Sequence, residues 1–251
     1  SAASDVYKRQ NKLTDIKGII FDYGGTIDTN SRHWAEVLWE KYATYEVPVS
    51  KADFRDAYVH GERTLARVPL VKPEHNFHDV LRIKTDIQIS WLIEQGKLDA
   101  QKASEQGYAS KIADSCYEYV LNVLKRTRPV VQKLSEHYKL VLVSNFYGNI
   151  QTILKDFELF DFFSDIVESS VVGVRKPDPA IYRLGVEAMG LPAGEVLVGG
   201  GSFSKDVVPA KAVGCKVAWL SGEGWGNEEI DESLPDVIIT DLPDLLQFIN
   251  L

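Results

Sequence analysis

Residues 16–23 read Ile-Lys-Gly-Ile-Ile-Phe-Asp-Tyr, and Gly24, Gly25 and Thr26 follow directly. A short and almost continuously apolar run is typical of a strand that is buried on both faces of a parallel sheet. The run ends at Asp22, which places this carboxylate at the carboxyl end of the predicted strand. Ligands of open α/β sheets bind at that edge. The stretch therefore predicts both a fold class and the position of a site.

Strand-like and helix-like segments alternate from Pro129 to the end of the chain. Repeated β-then-α units predict an α/β fold with a doubly wound, Rossmann-like parallel sheet and helices on both faces. The predicted strands cover residues 139–144, 165–170, 196–199, 215–220 and 236–240, and the predicted helices cover residues 129–137, 147–156, 179–189, 206–213 and 242–249.

The segment between the first strand and Pro129 shows a different pattern, in which apolar residues recur at helical spacing. Examples are Trp34, Val37, Leu38, Tyr42, Ile83, Ile87 and Trp91. No strand-like run interrupts them, so we expect four or five helices, with residues 68–76 as a loop among them. This predicts an all-helical cap domain at residues 31–125, inserted into a core of residues 13–30 and 126–251, after a tail at residues 1–12.

The composition is ordinary for a globular protein, and the net charge of −8 argues against non-specific binding of nucleic acid. An anionic small molecule remains compatible with a local positive site. Cys116 and Cys215 match no metal-binding spacing, so we expect two reduced thiols. No apolar run has the length of a membrane span and no stretch resembles a secretory signal, which makes the cytoplasm the expected compartment. The oligomeric state stays open.

Four short stretches follow predicted strands, and a parallel sheet brings all of them to one edge. They are residues 22–26, Ser144 with Asn145, residues 175–177 and residues 199–206. Each contributes a group that suits phosphoryl transfer. Asp22 can attack phosphorus, and Lys176 can neutralise the anion.

The remaining groups of these stretches suit an anion and a cation. Gly24 and Gly25 allow backbone N–H groups to approach the anion, while Thr26 and Ser144 offer hydroxyl donors. Asp206 can bind Mg²⁺ or orient Lys176.

In this arrangement the chain resembles the haloacid dehalogenase superfamily, in its subgroup with a helical cap after the first motif. The matching stretches are Asp22-x-x-Gly25-Thr26, Ser144-Asn145, Lys176-Pro177-Asp178-Pro179 with Tyr182, and Gly201-Ser202-x-x-x-Asp206 with residues 209–214. The resemblance implies hydrolysis of a small-molecule phosphate ester through an aspartyl-phosphate on Asp22. It also implies Mg²⁺ held by Asp22, the Gly24 carbonyl and Asp206, and substrate contacts from Ser144, Asn145, Gly24 and Gly25.

Two positions depart from the family pattern. The family's phosphatases carry an acid–base Asp where this chain has Gly24, and a metal-binding Asp where it has Gly201. Loss of general acid–base help typically costs about 10²–10⁴-fold in rate. We therefore expect slow or impaired turnover and weak or absent Mg²⁺ binding.

Two other functions stay open beside the phosphatase. One is a metal-free hydrolase resembling the family's 2-haloacid dehalogenases, and the other is a non-catalytic protein that binds phosphate. Arg55, His60 and Arg63 of the helical segment are candidates for reading the substrate, although a solvated helix face is the simpler interpretation. His33 follows the first motif closely enough to reach the cleft, but we expect it at the surface.

Overall fold

A computed structural model describes residues 12–251, so the expected tail falls almost wholly outside the described residues. The centre of the fold is a sheet of six parallel strands in the order β3-β2-β1-β4-β5-β6. The strands are β1 Gly18–Phe21, β2 Lys139–Ser144, β3 Asp165–Glu168, β4 Val196–Gly200, β5 Lys216–Leu220 and β6 Val237–Ile239. The predicted doubly wound parallel sheet is confirmed.

β1 lies in the middle of the sheet because its residues are apolar on both faces. Ile19, Ile20 and Phe21 are fully buried, and β1 pairs with β2 on one side and with β4 on the other. Phe21 is in register with Leu142 and Gly199. The chain after β1 therefore emerges between the chain segments that follow β2 and β4.

Helices alone connect β1 to β2 in the described part of the chain. They are α1 Trp34–Thr44, α2 Lys51–Arg67, α3 Phe77–Glu94, α4 Ala100–Gln106 and α5 Tyr108–Ser135. This agrees with the expected number of helices, and residues 68–76 form the loop between α2 and α3, where it was expected. None of the helices within residues 12–251 has both the length and the apolar character needed to cross a membrane.

α5 differs from the prediction because it runs unbroken through Pro129, where we expected a separate helix to begin. Its buried stripe explains the continuity, since Cys116, Val120, Leu124, Thr127 and Val131 keep a spacing of three or four residues past the proline. This packing offsets the backbone hydrogen bond that proline cannot donate. The domain boundary predicted between residues 125 and 126 thus falls inside one helix.

The remaining helices cover the two faces of the sheet. They are α6 Ile150–Asp156, α7 Ser169–Val172, α8 Ala180–Met189 and α9 Val208–Val213, with short helical turns at Tyr23–Ile27, Phe160–Phe162, Ala193–Glu195, Phe203–Val207 and Leu242–Gln247. α8 lies close to the sheet at Gly185, where an added Cβ would come within 2.7 Å of Val143 Cγ2.

The start of α6 differs from the predicted start at residue 147. Buried Glu168 explains this, because its carboxylate accepts hydrogen bonds from the N–H groups of Gly148, at 2.7 Å, and Ile150, at 3.2 Å. Residues 145–149 are therefore held as a loop beside the end of β3.

The chain crosses between sheet and helical segment twice, and polar contacts join the two crossings. Thr127 Oγ1 donates to the Ile27 carbonyl at 2.7 Å. Asp241 accepts from the Asn30 side chain at 2.8 Å and from Arg126 Nε at 2.8 Å. One carboxylate near the end of the chain therefore contacts both crossings.

Candidate active site

A buried ion network lies at the carboxyl edge of the sheet. Lys176 Nζ donates to Asp22 Oδ1 at 2.8 Å and to Asp206 Oδ1 at 2.8 Å. The side chains of Lys176 and Asp206 are 3% and 1% exposed, and that of Asp22 is 9% exposed. Three residues from distant parts of the sequence thus form one charged cluster, which the sheet order explains, because β1 and β4 are neighbours.

Asp206 is fixed by more than its ion pair. Tyr182 Oη donates to Asp206 Oδ1 at 2.7 Å, and the Ser202 N–H donates to Asp206 Oδ2 at 3.0 Å. These contacts use both carboxylate oxygens and hold Asp206 in a position that orients Lys176. Of the two roles considered for Asp206, this geometry supports the orientation of Lys176.

The charges of this cluster are set by burial and by mutual attraction. Burial is the main reason why the pKa of Asp22 is raised to about 6, and the nearby charge of Asp206 adds to it. Lys176 and the Thr26 hydroxyl act in the opposite direction. Burial disfavours the charged form of Lys176, but the two carboxylates outweigh it and raise the pKa of Lys176. At neutral pH the cluster therefore holds an ionised Asp22 next to an ammonium group.

Thr26 joins the loop after β1 to the loop after β4. Its hydroxyl donates to Asp22 Oδ2 at 2.9 Å and accepts from the Gly201 N–H at 3.0 Å. Gly25 has a φ of 83°, in the left-handed region that favours glycine, which lets the backbone turn sharply between Asp22 and Thr26. Thr26 is fully buried, so it holds Asp22 in place and does not face the cleft.

Asp28 is a part of this loop that the sequence patterns did not single out. Its carboxylate accepts from the Gly25 N–H at 2.7 Å and from Trp34 Nε1 of α1 at 2.8 Å. Burial is the main cause that raises its pKa to about 7. Asp28 therefore links the loop after β1 to the first helix of the insert. The sequence contained one signal that could have identified Asp28, namely an acidic residue two positions after the Gly25-Thr26 pair.

Asn145 and Ser144, at the end of β2, have different surroundings. Asn145 pairs with the Lys176 backbone, accepting from its N–H at 2.8 Å and donating to its carbonyl at 3.1 Å, and it lines the cleft. Ser144 is 1% exposed, its hydroxyl lies 3.5 Å from the Asn145 carbonyl oxygen, and it is absent from the cleft walls. The geometry therefore brings Asn145 to the site and leaves Ser144 beneath it.

The cleft above Asp22 is a pocket of about 180 Å³. Its floor is formed by core residues that the sequence singled out: Asp22, Gly24, Gly25, Asn145, Lys176 and Asp206. Its opposite wall comes largely from the helical insert and includes His33, Tyr58, Glu62 and Lys84. Arg55, predicted to bind substrate, lies outside these walls, because it is exposed and its guanidinium covers the Trp225 ring at 4.5 Å.

His33 lines this pocket, whereas we expected it at the surface. Its Nδ1 accepts a hydrogen bond from the Ala35 N–H at 3.0 Å, which caps α1, and its ring stacks on Trp225 at 5.6 Å. Burial is the main cause that lowers the pKa of His33 to about 4. The imidazole is therefore neutral at pH 7. Since Nδ1 acts as an acceptor, the proton is on Nε2.

Glu62 and Lys84 form an ion pair that spacing alone did not reveal. Lys84 Nζ lies 3.0 Å from Glu62 Oε1, and Tyr147 Oη donates to Glu62 Oε2 at 2.9 Å. Burial opposes the charge on Glu62, but Lys84 lowers the pKa of that carboxyl. Because Tyr147 follows β2 and Glu62 lies on α2, this contact holds the insert over the core.

Gly24 and Gly201, the two positions where the family resemblance implies a carboxylate, sit in unequal surroundings. A Cβ added at Gly24 would meet nothing within 4 Å. A Cβ added at Gly201 would come within 2.8 Å of the Gly25 carbonyl oxygen and within 3.5 Å of Thr26 Oγ1. The backbone of the loop after β1 therefore occupies the space that a side chain at position 201 needs.

The donor set does not fit a resident Mg²⁺. No group of three or more His, Cys, Asp or Glu side chains placed to hold a metal ion occurs in residues 12–251. Of the expected ligands, Asp22 and Asp206 both bind Lys176, and Gly24 offers only its carbonyl. Hard divalent cations favour several oxygen ligands without an ammonium group between them.

Comparison with known proteins places the chain among hydrolases. It is 29% identical over 147 residues to the 5-amino-6-(5-phospho-D-ribitylamino)uracil phosphatase YigB of Escherichia coli, which covers 59% of this chain and 60% of that protein. It is 31% identical to a glyceraldehyde 3-phosphate phosphatase of Pyrococcus furiosus, over 37% of this chain and 39% of that protein. The chain thus spans less than two thirds of these two relatives. With the phosphoglycolate phosphatase of Pectobacterium atrosepticum it shares 27% identity, over 95% and 94% of the two chains.

Solved structures agree on the fold. A dehalogenase with an intermediate complex aligns with a TM-score of 0.59 at 16% identity, over 94% of this chain and 98% of that chain. A HAD phosphatase from Thermococcus onnurineus aligns with a TM-score of 0.50 at 23% identity, over 92% and 96%. The model of the family described as haloacid dehalogenase-like hydrolase matches residues 16–214. Since that match covers most of the sequence, the chain belongs to the haloacid dehalogenase-like hydrolase family.

Proposed function

We propose that this chain hydrolyses phosphomonoesters through an aspartyl-phosphate on Asp22, and that it does so slowly. The observation that carries the proposal is the buried contact of Asp22 with Lys176 at 2.8 Å, at the floor of the cleft. A carboxylate held ionised beside a fixed cation is equipped to attack an anionic phosphoryl group. YigB and the Pyrococcus and Pectobacterium relatives are all phosphatases, which supports this reaction class.

In the first step an Asp22 oxygen forms a bond to phosphorus as the bond from phosphorus to the ester oxygen breaks. Lys176 offsets the charge that gathers on the phosphoryl oxygens, while Asp206 and Tyr182 keep its ammonium group in place. Water then attacks the aspartyl-phosphate, releases inorganic phosphate and regenerates Asp22. No step in this scheme passes through a metal ion, because the donor set does not fit one.

The alcohol that leaves in the first step receives a proton neither from position 24 nor from His33. Gly24 has no side chain to donate a proton, and His33 is neutral with a pKa of about 4. The leaving oxygen therefore departs as an anion or takes its proton from water. We propose that substrates with acidic leaving groups, such as aryl phosphates, react much faster than alkyl phosphates.

The test is phosphate release from aryl phosphates of graded leaving-group pKa, with and without Mg²⁺ and with EDTA. We expect a steep dependence on leaving-group pKa and little dependence on Mg²⁺. Asp22→Asn should fall to background, and mass spectrometry of the parent should detect one added phosphoryl group. Asp86→Asn, on the exposed side of α3, is the matched control. Equal rates of Asp22→Asn and the parent would refute the nucleophile.

A metal-free dehalogenase is a second candidate, favoured by the direct contact of Lys176 with both carboxylates. It predicts halide release from 2-chloropropionate in the presence of EDTA. Phosphate release with no halide release would exclude it. Stabilisation by phosphate without turnover of either substrate class would indicate a protein that only binds anions.

A further inference from the structure

The pocket above Asp22 opens into a second, larger cavity of about 810 Å³. The two share His33, Tyr58, Glu62, Asn145, Phe146, Tyr147 and Lys205 in their walls. A ligand whose phosphoryl group sits on Asp22 can therefore extend along these shared walls into the larger cavity. The combined space far exceeds what a phosphoryl group alone needs.

The larger cavity is cationic although the chain as a whole carries a net charge of −8. Arg63 and Arg67 line it from α2, and Arg175 and Lys205 line it from loops of the core. Arg63 and Arg67 are four residues apart, so they project from the same face of the helix. The positive groups thus approach one space from both the insert and the core.

These four cations form no ion pair with another of the described residues. Among the ion pairs formed within residues 12–251, none includes Arg63, Arg67, Arg175 or Lys205. Glu62 is the single acid that residues 12–251 contribute to the wall of this cavity, and it is already paired with Lys84 and bonded to Tyr147. The positive charge of the cavity is therefore free to bind an anion.

The side wall of this cavity adds a neutral donor. His33 stacks on Trp225 with an angle of 9° between the ring planes, and both rings line the cavity. Since Nδ1 of His33 accepts from the Ala35 N–H, its Nε2–H is available to an oxygen acceptor.

Resting on the proposed function, we propose that the substrate is an extended phosphomonoester whose far end carries a second anionic group, bound in the larger cavity by Arg63, Arg67, Arg175 and Lys205. The scissile phosphoryl group contacts Asp22 and Lys176, and the second anion lies in the cationic cavity. A carboxylate and a phosphate share the required chemistry, and guanidinium groups bind both in a bidentate manner.

The experiment measures binding, so it does not depend on turnover. Isothermal titration calorimetry is carried out with three matched ligands: an α,ω-alkanediol monophosphate, the corresponding bisphosphate, and the corresponding ω-phosphoalkanoate. Spacers of about three to eight carbons vary the distance between the two anionic groups. We expect both two-anion ligands to bind at least about tenfold more tightly than the monophosphate at one or more spacer lengths. The better of the two identifies the second anion as phosphate or carboxylate.

Variants then assign the effect to the cavity. The double variant Arg63→Gln, Arg67→Gln should lose most of the two-anion advantage and leave monophosphate binding unchanged. Lys102→Gln, which removes a positive charge from exposed α4 and lines neither cavity, should keep the advantage. Circular dichroism checks that each variant is folded.

Two outcomes would overturn the proposal: equal affinity of all three ligands at every spacer length, or the same loss of advantage in Lys102→Gln as in the double variant. The result separates this proposal from the proposed function. If the two-anion ligands bind more tightly but no substrate is hydrolysed, the proposed hydrolase activity is refuted and the cationic site is not. If the monophosphate is hydrolysed but the two-anion ligands bind no more tightly, the cationic site is refuted and the hydrolase activity is not.

Discussion

The loop after β1 and the loop after β4 each carry a glycine at a position where the family resemblance implies a carboxylate, yet the two loops differ in what a side chain would meet. At Gly24 the space is open to 4 Å, whereas at Gly201 an added Cβ would lie 2.8 Å from the Gly25 carbonyl oxygen. The first glycine leaves room in the cleft. The second is packed against the backbone that carries Asp22.

The two positions therefore differ in how easily a carboxylate side chain can be introduced. An acid at position 24 can return without any movement of the backbone, because φ is −69° and ψ is 121°, values open to any residue. An acid at position 201 requires a shift of the loop after β1, which also carries the Thr26 hydroxyl that binds the Gly201 N–H. Two substitutions that look alike in sequence should therefore respond very differently to reversal.

Gly24→Asp gives the largest expected effect and tests the open side of the comparison. It restores a proton donor for the leaving group, so kcat for alkyl phosphates should rise by about 10²–10⁴-fold. Steady-state phosphate release measures this. Gly24→Asn is the matched control, because it has nearly the same shape and cannot supply a proton as an acid. A rise of equal size in both variants would show that proton transfer is not the reason.

Lys176→Met removes the ammonium group that binds Asp22, in the loop after β1, and Asp206, in the segment after β4. It leaves Asp22 and Asp206 buried without their counter-charge, so the free energy of unfolding should fall by about 3–5 kcal/mol. Urea unfolding at pH 7 measures it. Lys211→Met is the control, since its pair with Asp236 is partly exposed and should contribute at most about 1 kcal/mol. Similar losses in both variants would contradict the buried network.

Gly201→Ala tests the packed side of the comparison. A methyl group 2.8 Å from a backbone oxygen forces a shift, and the free energy of unfolding should fall by about 1–3 kcal/mol. Thermal and urea unfolding measure this, with Gly24→Ala as the control that should change stability little. Gly201→Asp should show the same loss and should not by itself restore activity. An unchanged stability of Gly201→Ala would mean that the loop after β1 moves freely.

The smallest expected effect is the change of kcat/KM with pH. It reports the ionisation of Asp22, which both loops contact. Because the pKa of Asp22 is raised to about 6, the nucleophile gains a proton as the pH falls below this value. We expect kcat/KM to fall by about half between pH 7 and pH 6 and about tenfold per unit below it. Asp28→Asn tests the assignment, because the pKa of Asp28 is about 7. Loss of the acidic limb in that variant would assign it to Asp28 instead of Asp22.

The parts of the fold that follow from the sequence are those where one local pattern decides the structure. The apolar run before Asp22 indicated a central strand, and the order of the motifs at strand ends indicated one site. α5 was predicted in two parts because proline usually ends a helix, and only the packing of residues on both sides of Pro129 overrides that rule. On α3 the spacing of Ile83, Ile87 and Trp91 did not reveal the most buried face.

That buried face of α3 includes Thr85 and Gln88, which carry polar groups that are satisfied by distant partners. Gln88 accepts from Tyr42 Oη at 2.9 Å, and Thr85 donates to the Ala109 carbonyl at 3.0 Å. Hydrophobic periodicity cannot detect such residues. The same limit applies to the cleft, since Glu62, Lys84 and His33 reach it through the folding of the insert over the sheet, a long-range arrangement that no local spacing encodes.

Asp241 links the two chain segments through which the insert is connected to the sheet. Asn30, where the chain leaves the sheet, and Arg126, where it returns, both bind this carboxylate. A residue far along the sequence from every motif thus contributes to how the helices are held above Asp22. We expect Asp241→Ala to change which molecules the pocket binds more than it changes the chemistry on its floor, because both contacts lie outside the cluster of Asp22, Lys176 and Asp206.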